Sequence, residues 1–154
     1  MEPCRIGRVP LGLGTPDAFV IVERDGRPDL RIDAYSKWEG PFCEVVIWRD
    51  FVVLGWSDVV YLVELTSRRV RTLKCDSYFG HLYPFDTSLL VASASELICV
   101  NERGDEAWRC GNLGIDGVVV DRVADGFIDG QGEWDPPGGW RPFRLTAITG
   151  EPAS

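Results

Sequence analysis

Apolar and polar positions change over within a few residues almost everywhere along this chain, and nearly every apolar stretch reads as a strand. Val45-Val46-Ile47-Trp48, Phe51-Val52-Val53-Leu54 and Val59-Val60-Tyr61-Leu62-Val63 are β-branched and aromatic runs. Arg49-Asp50 and Ser57-Asp58 separate them, and two-residue polar separators between such runs predict hairpins. Asp86 to Leu97 offers the best helix, with Asp86 as N-cap, but Ser93 and Ser95 weaken it. It is read instead as a strand pair, Leu89 to Ala94 and Glu96 to Val100. The 17 glycines and 10 prolines are scattered and would break any long helix. The expectation is one all-β domain over residues 1–154.

The hairpins recur. Phe51 to Leu65 and Ser88 to Glu102 share one pattern: apolar strand, small-residue turn, second apolar strand, polar turn. A third copy runs from Gly126 to Gly130 and, after an insertion, from Trp140 to Gly150. A partial fourth, from Ala18 to Arg27, turns at Gly26 where the others turn at Gly104 and Gly150. The first strands end at Gly55, Ser93 and Gly130, spaced 38 and 37 apart. A period near 40 with several short strands per unit is that of β-propeller blades. Asn101 to Trp108, with Gly104 four residues before Trp108, resembles the turn and outer strand of quinoprotein-type blades; Arg24-Asp25-Gly26 and Thr149-Gly150 resemble the same turn. The chain departs from well-known propeller families in lacking a Trp-Asp dipeptide at a blade end and in placing Ser67 where one turn glycine belongs. What the resemblance implies is propeller-like repeats of antiparallel hairpins, about four units, turning near Asp25-Gly26, Ser67-Arg68, Arg103-Gly104 and Thr149-Gly150. Closure would need an N-terminal strand, Arg5 to Pro10, beside the strand that ends at Thr149. A plain antiparallel barrel or sandwich is the alternative.

Charge narrows the partners. Acidic residues outnumber basic ones 24 to 16, for a net charge of −8. Such a chain repels phosphate backbones and suits a basic protein. The five cysteines form no C-x-x-C, so they are expected as free thiols in the cytoplasm, with Cys43, Cys75 and Cys99 acting as small buried hydrophobes. No apolar run is long enough for a membrane helix, and Met1 to Gly12 lacks a signal-like apolar core. Arg68-Arg69-Val70-Arg71 is expected as a solvated outer strand that blunts an edge.

Candidate chemistry is sparse. His81 is the single histidine, so no multi-histidine metal site can form, though it could still pair with Cys75 or Cys110. No nucleophile elbow or phosphate-binding glycine motif occurs, and Pro16 removes a donor from the turn at Gly12. No catalytic residue, cofactor or metal is therefore expected. Asp116 to Asp135 gathers six carboxylates against Arg122 alone. Their spacing does not match a calcium loop, and a glycosidase pair cannot be read from sequence. Solvated turns or an acidic recognition surface are the remaining readings. Gly132 to Pro142 adds to the surface reading, because it joins two tryptophans to a proline-rich loop that loses little entropy on binding, with Trp134 and Trp140 folding back to cap the adjacent sheet as the equal alternative. Asp125, Asp129, Glu133, Trp134, Asp135 and Trp140 are the expected partner-binding residues. The function expected is a non-catalytic acidic module that docks on a basic protein, by size and charge similar to bacterial immunity proteins that block a toxin domain. The alternative is a small enzyme or ligand- or calcium-binding domain using residues 116–140.

Overall fold

The computed structural model describes residues 2–7, 14–36 and 40–153, and among them there are fourteen strands and no helix. No helix long and apolar enough to cross a membrane is present among these residues. The first sheet holds β1 (Cys4–Gly7), β3 (Arg27–Tyr35) and β2 (Ala18–Arg24) in that order. The second is β4 (Cys43–Trp48), β5 (Phe51–Trp56), β6 (Val59–Glu64) and β7 (Val70–Lys74), a plain meander. The third is a second meander, β8 (Phe79–Pro84), β9 (Ser88–Ser93), β10 (Leu97–Asn101) and β11 (Glu106–Cys110). The fourth holds β12 (Val118–Ala124), β13 (Phe127–Glu133) and β14 (Trp140–Thr146). All pairings are antiparallel except β1 with β3.

The turns follow from local chemistry. Asp25-Gly26 and Asp125-Gly126 each place two residues at positive φ, which matches the right-handed twist of the strands they join. The expected turns at Ser67-Arg68 and Arg103-Gly104 are present, with Arg68 and Gly104 in the left-handed region. Asp86 sits in the turn between β8 and β9, so the strand pair prevails over a helix there.

Sheets pack face to face in chain order. Val22, Leu30 and Ile32 of the first sheet meet Val52, Leu54, Val59 and Val63 of the second. The second sheet's opposite face, with Val53, Val60 and Leu62, meets Phe79, Leu89 and Ile98 of the third. Leu90, Ala92 and Leu97 on the third sheet's far side meet Val118, Ile128 and Leu145 of the fourth. Strands β5, β6, β9 and β10 are thus covered on both faces, which is why their sequences are continuous apolar runs rather than alternating ones. Strand β2 alternates instead, turning Val22 inward and Phe19 and Ile21 to solvent.

Two expectations need correction. The N-terminal strand does not lie beside the fourth sheet: Cys4 to Gly7 pair in parallel with Ile32 to Tyr35, and Ile6 is buried in the core between the first and second sheets. Positions 8–10 of the expected Arg5 to Pro10 strand lie outside the described residues. The free edge of β14 is covered instead by the chain's own tail, through Thr146 N–H to Glu151 O at 2.8 Å and Ala153 N–H to Arg144 O at 2.8 Å. Among the described residues no apolar cluster joins the first sheet to the fourth, so the four sheets form an open stack and not a closed barrel. Cys43 is the second correction. It is exposed with Val45 (46%) and Ile47 (58%), because the first sheet covers β5 and β6 but not this part of β4. Cys75 and Cys99 are buried as expected, and burial, with Glu96 nearby, pushes the Cys75 thiol up to about 12.

Gly55 shows how tightly the second and third sheets meet, since a Cβ there would run into the Phe79 ring. Gly55→Ala should therefore cost about 1–3 kcal/mol in urea unfolding. Gly111→Ala, with nothing within 4 Å of the added methyl group, should stay within about 0.5 kcal/mol. Equal effects at the two positions would contradict this packing.

Candidate functional site

The first strands of three sheets lie side by side, β4 against β8 and β8 against β12. A cleft of about 360 Å³ opens where their ends and the preceding connections converge. Its aromatic lining comes from Phe42 before β4, Tyr78 and His81 at the start of β8, and Trp140 at the start of β14.

An irregularity in the β8–β9 register falls between Phe79 and His81. Extra residues of this kind re-aim side chains, and here Phe79 enters the core while His81 lines the cleft. His81 Nδ1 lies 2.8 Å from Glu44 Oε1, and Glu44 Oε2 accepts the Leu82 N–H at 2.9 Å. Both oxygens of one carboxylate thus tie β4 to β8. The Phe42 ring packs on this pair, with its centroid 5.0 Å from that of His81 and 6.3 Å from that of Tyr78.

Tyr78 bridges to the fourth sheet. Its hydroxyl lies 2.6 Å from both Asp116 O and Asp116 Oδ1 and donates to this residue. Burial first, then the hydrogen bond and charge of Asp116, hold the phenol protonated well above its ordinary range. Residues 111–117 are held against the third sheet by Leu113 N–H to Ser95 O and Gly117 N–H to Ala94 O, both 2.9 Å. This connection passes so close to β13 that a Cβ at Gly132 would overlap Leu113 O. Trp140 lies over Gly117, where an added Cβ would come within 3.1 Å of its ring.

A polar network supports the floor. Asp76 accepts from Ser93 Oγ at 3.0 Å and Ser95 Oγ at 2.6 Å. Glu96, 2% exposed, accepts from Asp76 N–H at 2.8 Å and Arg109 Nη1 at 2.9 Å. Burial raises the Glu96 carboxyl despite these donors. For Asp76 the balance is opposite: burial opposes ionisation, but the two serine hydroxyls and the charge of Arg109 leave it below its ordinary value.

The six expected partner residues divide. Glu133 and Trp140 are paired across β13 and β14 and line the cleft. Trp134 and Asp135 follow in the adjoining turn, where Gly138 N–H donates to Glu133 Oε2 at 2.9 Å and the Arg141 guanidinium lies 5.6 Å from the Trp134 ring. Asp129 shares the face of Glu133 but sits about 13 Å along the strand, where Arg144 holds both its oxygens at 2.7 and 3.1 Å. Asp125 occupies the turn beyond, facing Arg122 at 3.7 Å. Four of the six thus lie at the cleft and its adjoining turn, with Asp129 and Asp125 farther along the same sheet. No sequence pattern marks Phe42 or Tyr78, which lie in connections without periodicity.

Among the described residues no hydroxyl or thiol is hydrogen-bonded to His81, and the Ser93 hydroxyl is committed to Asp76. No group of three or more His, Cys, Asp or Glu side chains among them converges as metal ligands. No family model matches the chain, and no curated protein matches its sequence.

The Asp76 carboxylate stabilises the fold where it is ionised. Its folded pKa is depressed, so that stability is present above the ordinary aspartate value near 3.9 and is lost as pH falls through the lower folded value. Asp76→Asn should flatten this acid limb of the stability–pH curve in thermal melts. An unchanged limb would remove the network from the account.

Proposed function

We propose that this protein is a non-catalytic binding module that docks a basic protein at the mouth of the cleft and the adjoining 132–140 turn. One observation carries the reading. Asp116 and Glu133 line the same cleft, no arginine or lysine lines it with them, and neither carboxylate has an ion-pair partner among the described residues. Unneutralised carboxylates raise the local negative potential on a chain already at −8 and so steer a cationic partner. Trp140, exposed on the rim, supplies the apolar anchor that tight interfaces favour. In its specific form the partner is a basic toxin domain and this protein its cytoplasmic immunity factor; the size, the charge and five free thiols support that form.

The test is a hydrogen-exchange footprint with a partner purified from the native host. Protection should fall on 114–119 and 132–141, and association should slow with added salt. Trp140→Ala should weaken binding by about 2 kcal/mol and leave the melting temperature nearly unchanged. A footprint on the first sheet, or a Trp140→Ala variant that loses fold stability and not binding, would overturn the reading.

A further inference from the structure

We infer that the cleft receives a single guanidinium group, an arginine side chain of that basic partner; the inference rests on reading the cleft mouth as the docking face. The volume of about 360 Å³ sits at the small end of ligand sites, which run to roughly 1,000 Å³, and so suits one side chain and not a folded segment. The walls are aromatic, from Phe42, Tyr78, His81 and Trp140, and no arginine or lysine lines them.

The molecule holds arginines in this way on its own outer faces. Arg144 lies 4.9 Å from the Phe127 ring centroid while forking onto Asp129. Arg31 lies 4.9 Å from the Phe19 ring while its Nε donates to Asp33 Oδ1 at 2.7 Å. An aromatic face and a carboxylate together satisfy a guanidinium, which is planar, weakly hydrated and forked. The cleft presents the same two groups without the arginine. Tyr78 takes one oxygen of Asp116 and Gly138 N–H one oxygen of Glu133, so Asp116 Oδ2 and Glu133 Oε1 have no partner among the described residues. A lysine ammonium would gain the charge but not the stacking or the fork.

The experiment titrates N-acetyl-arginine-N-methylamide, and its lysine and citrulline counterparts, into the folded protein and follows Gly117 amide and Trp140 indole signals by NMR. The arginine compound should bind saturably and about tenfold more tightly than the neutral citrulline one. Asp116→Asn with Glu133→Gln should reduce it to the citrulline level. Equal binding of lysine or citrulline, shifts mapping outside the cleft, or no saturation would each overturn the assignment, whether or not the double variant folds. If arginine fails while a partner still protects 132–141, the pocket falls and the docking face stands. If arginine binds and the partner protects another face, the docking face falls.

Discussion

Side-chain hydrogen bonds that reach across one sequence repeat fix how the sheets sit on each other. Trp48 Nε1–H donates to Phe85 O at 2.6 Å, the Val120 N–H to Tyr83 Oη at 3.2 Å, and Trp108 Nε1–H to Ala147 O at 3.1 Å. Their sequence separations are 37, 37 and 39. Glu44 with His81, and Tyr78 with Asp116, are separated by 37 and 38. Apolar faces attract without direction, so these polar bonds add orientation to the fit of the three buried clusters. A partly buried indole or carboxylate that must find its partner sets that orientation, since an unpaired polar group costs about 1–3 kcal/mol.

The cleft follows from the same offset. Glu44 draws the first strands of the second and third sheets together, and Tyr78 draws the third against the connection leading into the fourth. The space left between them is bounded by those bonds, and Ser93, which lines it, is tied through Asp76 to the buried Glu96 carboxylate and its partly exposed partner Arg109. A buried carboxylate stripped of its guanidinium is strongly destabilising.

Much of the fold was legible because both its periods are local. The runs at 45–48, 51–54 and 59–63 fall within β4, β5 and β6, and Asp25-Gly26 and Arg103-Gly104 mark real turns. Cys43 was misread because burial depends on whether the neighbouring sheet extends over β4, which no residue in β4 encodes. The N-terminal strand was misplaced for a related reason: Ile6 can be buried at either end of the stack, and the sequence pattern is the same for both. The site was half visible. Glu133 and Trp140 stood out by composition, whereas Phe42 and Tyr78 lie where no alternation exists to be read. Used as a distance rule, the repeat length would have paired Glu44 with His81 and Tyr78 with Asp116.

Because the stack is open, its members are not equally held. The inner two sheets are each clamped between two apolar interfaces, while the outer two rest on one apiece. In such a one-dimensional array, cooperativity passes only between neighbours, and fraying starts at the ends. The fourth sheet resists by folding its own tail onto β14, but the first has Phe19 and Ile21 facing water on its free side. The cleft's walls belong to the second, third and fourth sheets, so it lies at the end of the stack that the tail straps.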